Sequence, residues 1–148
     1  MDFKLTEEQI AQRNEFFEVC KELEKKQPPD WVDFAHDYYH NDEGWEYHIY
    51  CAKEFAKRGW LLLGSPPEYG GKGTTIDRAL FAEARGYYRI PGVDMQGVQL
   101  LTPTLLEFGT EEQKKKYLPQ VAAAEVMWCQ LWSEPNAGSD LANVSATA

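Results

Sequence analysis

The chain has 148 residues, with 24 acidic side chains against 15 Lys and Arg, a formal net charge of -9 and a pI near 4.8. That balance argues against nucleic acid or an anionic membrane as a partner, since both repel an acidic surface. The length suits one domain, or one domain with part of another. Cys20, Cys51 and Cys129 lack metal-type spacing and read as reduced thiols of a cytoplasmic setting. No signal peptide is expected at Met1-Asp2-Phe3-Lys4, and no apolar stretch has the length of a membrane span.

In chain order, Thr6-Glu7-Glu8-Gln9 is a capping box that opens a first helix. Phe16, Val19, Cys20 and Leu23 behind it form one apolar stripe, and Pro28-Pro29 prevents helix beyond Lys26. Residues 30–41 read as a loop with at most a helical turn. A second helix is expected from Glu43 to Arg58, with Trp45, Ile49, Ala52 and Phe55 or Ala56 inward and Gly59 as its left-handed stop. A third is expected from Ile76 to Arg89, with Ile76, Leu80, Ala84 and Tyr87 on one face, ending before Pro91. The fourth, from Val93 to Phe108, carries Val98, Leu101, Leu105 and Phe108 at helical spacing and should bend at Pro103. Gly109 ends it, and a second capping box, Thr110-Glu111-Glu112-Gln113, opens a fifth helix to Ala123. Lys114-Lys115-Lys116 points three ways on that helix and reads as solvated surface.

The pattern changes near Ala124. Val126-Met127-Trp128-Cys129-Gln130-Leu131-Trp132 is strand-like, and its tryptophans carry too much apolar surface to leave in water. Pro135 stops that run, and Asn136, Gly138, Ser139 and Asp140 supply turn chemistry. A second strand is expected over residues 142–148, where small apolar and polar residues alternate. The fold class is therefore mainly α: a helical bundle over residues 1–124, then the first strands of a β-domain over residues 125–148. The loop presents hydroxyls and successive backbone N–H groups at a strand end, an arrangement suited to a partly anionic ligand, although most such loops are ordinary turns.

Other motifs carry less. Gly70-Gly71-Lys72-Gly73-Thr74 has Pro66 and Gly73 where a phosphate loop needs a glycine and a hydroxyl, and Ile76 where a dinucleotide fingerprint needs its third glycine. His36 and His40 have chelating spacing on a helix, but no further ligand completes a set, so no metal is expected.

The segment Trp132-Ser133-Glu134-Pro135-Asn136-Ala137-Gly138-Ser139-Asp140 resembles a signature of the acyl-CoA dehydrogenase family, with Ser133 where Thr is commoner. Two further segments resemble the same family in the same order. They are Gly59-Trp60-Leu61-Leu62-Leu63-Gly64 with Pro67-Glu68-Tyr69-Gly70-Gly71, and residues 108–119 from Phe108-Gly109-Thr110 to Tyr117-Leu118-Pro119. The resemblance runs from about Leu5 to the last residue.

That resemblance implies oxidation of an acyl-CoA thioester between its α and β carbons. FAD accepts the hydride and a carboxylate takes the α-proton. It implies that Gln130, Leu131, Trp132 and Ser133 border the isoalloxazine, and that Gly138 and Ser139 approach the flavin pyrophosphate, with Ser139 also near the pantetheine arm. Leu101 and Leu105, with Phe108, would border the acyl chain, although helix packing is the ordinary account of such a stripe. No residue of this chain matches the family's general base, so the chain is expected to be inactive alone. An electron-transfer flavoprotein and assembly as a homo-oligomer are implied for an intact enzyme, in the cytoplasm or a mitochondrial matrix. An acyl-CoA oxidase of the same fold and a non-catalytic helical interaction subunit remain open.

Overall fold

A computed structural model describes residues 4–32, 41–131 and 133–147. Five α-helices make up about half of it: α1 (Glu7–Glu24), α2 (Asp42–Lys57), α3 (Thr75–Tyr88), α4 (Thr102–Phe108) and α5 (Glu111–Ala122). Among the described residues, no helix is long and apolar enough to cross a membrane. His36 and His40 lie outside the described residues.

The capping boxes form as read. The Gln9 N–H donates to Thr6 Oγ1 at 3.2 Å while Gln9 Oε1 accepts the Thr6 N–H at 2.9 Å, and Thr110 and Gln113 repeat the exchange at the start of α5. α1 buries Phe16, Cys20 and Leu23, with Val19 half-buried beside them. At the end of α2 the Trp60 N–H reaches back to Phe55 O and the Gly59 N–H to Ala56 O, the paired bonds of a Schellman stop. Gly59 has the left-handed φ of 70° that this stop requires.

Two helix faces depart from expectation. α2 buries Gly44, Tyr47, His48, Cys51, Ala52 and Phe55, while Trp45 is exposed and Ile49 half-buried. Polar atoms turn that face inward because they find partners there. Tyr47 Oη donates to Leu23 O at 3.0 Å, and His48 Nδ1 accepts the Gly92 N–H at 3.2 Å. α3 buries Leu80, Phe81 and Ala84 and leaves Ile76 and Tyr87 in solvent. Phe81 decides that face, since its ring fills the space between Phe16, Phe55 and Trp60.

The expected single fourth helix is also corrected. Residues Met95–Leu101 form a π-helical turn that passes into α4 at Thr102. Pro103 falls in the first turn of α4, directly after the π-turn, so its missing N–H lies where the hydrogen-bond register changes. The wide turn is held by the Thr102 N–H and Thr102 Oγ1, which both donate to Gly97 O. Phe108, at the far end, is 82 % exposed.

The glycine-rich segment after Trp60 is a turn. Leu63 and Lys72 make a parallel bridge, and a Cβ on Gly71 would stand 1.9 Å from Ser65 O, so only glycine fits there.

Beyond α5 no β-ladder forms among the described residues; one isolated bridge joins Glu134 to Ala137. The strands expected at residues 126–132 and 142–148 are therefore not laid down, and a short 3-10 turn, Leu141–Asn143, occupies part of the second. A strand is defined by its neighbour, and strand-forming residues without one do not make a ladder. The expected docking of the tail does occur at Trp128, which meets Tyr117 of α5 edge-on at 5.5 Å. Trp132 lies outside the described residues.

Candidate functional site

The loop after Leu131 is built on its own hydrogen bonds. The Glu134 N–H donates to Ala137 O at 2.8 Å and the Ala137 N–H returns to Glu134 O at 3.1 Å, closing a tight turn around Pro135 and Asn136. Asn143 Nδ2 donates to Asn136 O at 3.0 Å. The Glu134 carboxylate accepts from the Ser145 N–H, Ser145 Oγ and the Ala146 N–H at 2.9, 2.8 and 2.7 Å. Those donors, the Ser145 N–H first, hold its pKa below the usual carboxylate range.

Within this frame Ala137 is buried and Ser133, Gly138 and Ser139 are exposed. A Cβ on Gly138 would meet a single neighbour within 4 Å, Ser133 Oγ at 3.9 Å. The turn thus brings Ser133 and Gly138 together, with Ser139 next in the chain, on an open face carrying two hydroxyls and little steric bulk. Such a face offers hydrogen-bond donors to an electron-rich group that approaches closely. It fits the donors that a flavin carbonyl edge or a pyrophosphate needs. Gln130 and Leu131 lead into it and are exposed, Leu131 at 93 %.

Leu101 and Leu105 stand apart, at the end of the π-turn and on α4, both half-buried. Met95 and Leu100 are exposed on the same turn. The link between this turn and the tail is Asp94, whose Oδ2 accepts the Trp128 N–H at 2.9 Å. Nothing in their residue type sets Asp94 and Glu134 apart, because acidic residues in a chain this rich in them look solvated. The one available signal was position, since Glu134 sits inside the recognised motif and Asp94 precedes a Gln-Gly pair.

Other titratable groups are structural. Burial, helped by the Arg85 charge, pushes the His48 pKa down to about 4. Burial pushes the Cys20 and Cys51 thiols up to about 12, so both stay protonated and inert. Among the described residues no group of His, Cys, Asp or Glu suits a metal ion. A cavity of about 450 Å³ opens between α3 and the π-turn, walled by Trp60, Phe81, Val93 and Val98 with Arg78 and Arg85 at its edge. It does not include the loop at residues 133–140.

A family model described as "Acyl-CoA dehydrogenase, N-terminal domain" matches residues 6–125. Acyl-CoA dehydrogenase IpdE1 of Mycolicibacterium smegmatis is 43% identical over 115 residues, which cover 76% of this chain and 28% of that protein. Among solved structures, the ChsE4-ChsE5 complex from Mycobacterium tuberculosis superposes with a TM-score of 0.74 at 29% identity, covering 99% of this chain and 36% of that one. A structure described as Tcur3481-Tcur3483 steroid ACAD gives a TM-score of 0.68 at 26% identity over 98% of this chain and 36% of that one. The chain spans roughly a third of the length of these relatives.

Proposed function

The chain belongs to the acyl-CoA dehydrogenase family, and from that premise we propose that it supplies the N-terminal helical part of an FAD-dependent enzyme that oxidises an acyl-CoA thioester. The observation that carries this reading is the loop at residues 133–139, where a tight turn sets the Ser133 hydroxyl beside Gly138 with Ser139 exposed next to it. In this reading residues 125–147 begin a second, β-rich domain. The flavin would be held by backbone and side-chain donors of Gln130, Leu131, Trp132, Ser133, Gly138 and Ser139. When bound, FAD would supply the hydride acceptor. The chain's own contribution is positional: Ser133 offers a hydrogen bond to the electron-rich edge, and Gly138 leaves room for close approach. Ser139 would also approach the pantetheine arm, and Leu101 and Leu105 would give the acyl chain an apolar wall. The carboxylate that takes the α-proton would come from outside these residues, so the chain alone should not turn over.

Partner and substrate follow from the same relatives. Two solved structures similar to this chain are named as pairs of different subunits, and one of them as a steroid enzyme. Their names favour assembly with a second, unlike chain and a bulky acyl group, where the motif alone suggested a homo-oligomer. A helical subunit that lends structure and no chemistry is the second reading supported by those paired names. An electron-transfer flavoprotein would reoxidise the intact enzyme.

The test is flavin binding by the protein expressed from its complete reading frame, with and without its partner subunit. FAD should copurify, and Ser133→Ala should weaken FAD or slow single-turnover flavin reduction by roughly tenfold, the scale of one hydrogen bond. Unchanged affinity and unchanged reduction would remove Ser133 from the site. No flavin under any condition would favour the non-catalytic subunit.

A further inference from the structure

The two halves of the candidate site come from segments on either side of α5, and they meet at one joint. Asp94 Oδ1 accepts the Gln96 N–H at 3.0 Å, starting the π-turn, and Asp94 Oδ2 accepts the Trp128 N–H at 2.9 Å, holding the tail. A charged acceptor makes both bonds stronger than neutral ones. Gly97 makes the joint close. A Cβ there would stand 2.6 Å from Asp94 Oδ2 and 2.7 Å from Trp128 Cδ1, distances that real Cβ atoms essentially never show. Behind Gly97, Thr102 Oγ1 donates to Gly97 O at 2.8 Å, and the Trp128 indole rests edge-on against Tyr117 with its Nε1 buried.

We propose that Asp94 is a positioning residue, and that the Asp94–Gly97–Trp128 joint sets the spacing between the acyl-facing residues Leu101 and Leu105 and the flavin-facing loop that starts at Gln130. This rests on the reading of those two segments given above. Among the described residues the tail has no ladder to fix it, so side-chain anchors set its place. Trp128 lies two residues before Gln130, so a displacement at Trp128 is passed along a short stretch of backbone to the loop. A misplacement of the order of 1 Å between reacting groups can cost about a hundredfold in rate.

The test combines two variants with different defects. Asp94→Asn presents one oxygen and one amino group to two N–H donors, so one of the two bonds must be lost. Gly97→Ala retains both oxygens of the carboxylate but pushes it and the indole apart. In the 148-residue chain labelled with 5-fluorotryptophan, the Trp128 resonance, assigned through Trp128→Phe, should move and become solvent-accessible in both variants. The resonances of Trp31, Trp45 and Trp60 should stay in place. In the protein from the complete reading frame, both variants should keep their FAD content and thermal midpoint while flavin reduction at saturating acyl-CoA slows by about tenfold or more. A merely structural role would lower FAD content and midpoint together with the rate. A Trp128 resonance that stays in place, or an unchanged reduction rate once it has moved, overturns this inference. Failure of the wild-type protein to bind FAD overturns the functional reading instead, and is seen separately from the fluorine signal.

Discussion

In the helical bundle, Phe16, Phe55, Trp60 and Phe81 meet with ring centroids 4.7–6.3 Å apart and none more than 3 % exposed, whereas the described residues of the tail beyond Glu125 are held by single contacts, chiefly through Asp94, Glu134 and the Trp128 indole. The bundle is redundant, since each ring touches several others and no single polar contact defines it. The tail depends on individual contacts: Asp94 on Trp128, Tyr117 beside that indole, and Glu134 on Ser145 and Ala146. Apolar packing is non-directional and tolerates a shifted helix face. A hydrogen-bonded loop keeps its shape only while each donor meets its acceptor. The open, hydroxyl-bearing face belongs to the second kind of structure, where a ligand group can replace a solvent contact without dismantling a core.

The comparison breaks first at Phe55. Phe55→Ala should lower the stability of the helical region by about 3–5 kcal/mol, the cost of an unfilled aromatic cavity. The check is chemical denaturation followed by far-ultraviolet circular dichroism. A loss below about 1 kcal/mol would mean that the aromatic cluster collapses freely around the gap.

His48 gives the next effect, through pH. Its folded pKa of about 4 lies below the ordinary 6.5, so between those values the unfolded chain binds more protons than the folded one. Stability should therefore rise with pH across that window and be lost as pH falls from about 6.5 toward 4, by up to about 3 kcal/mol from this group. His48→Gln can keep an acceptor for the Gly92 N–H but does not titrate. The difference between variant and wild type should flatten that slope, as read from denaturation midpoints at pH 4.5 and 7.5. Parallel slopes would contradict the burial of a neutral imidazole.

Glu134→Gln sharpens the contrast from the other side. Amide exchange should quicken at Ser145 and Ala146 while the unfolding midpoint of the bundle stays put, because the hydrogen bonds of that carboxylate go to the tail at Ser145 and Ala146. Acidification through its depressed pKa should mimic the substitution, since the carboxylate's contribution is present above its unfolded value and lost below the folded one. A bundle midpoint that falls together with the tail would show that the two regions unfold as one unit. The smallest effect is expected at Ile76→Ser, within about 0.5 kcal/mol, because that side chain is 47 % exposed. A larger loss would restore the apolar face first read for α3.

Local rules in the sequence were enough for the helices and their ends. Capping boxes at Thr6 and Thr110, the stop at Gly59 and the stripe through Phe16, Cys20 and Leu23 depend on neighbours three or four residues away, and they formed as read. The family resemblance was equally legible, because it rests on patterns of residue types in order, and the family match over residues 6–125 covers the two earlier motifs. Tertiary structure alone decided which way α2 and α3 face. Tyr47 and His48 gain distant hydrogen bonds there, and Phe81 finds three rings contributed by other segments. It also decided that a π-turn precedes Pro103, and that the strand-like tail forms no ladder among the described residues and anchors Trp128 on Asp94. Those outcomes turn on partners many residues away, and a periodicity or a propensity read along one segment carries no information about what that segment will meet.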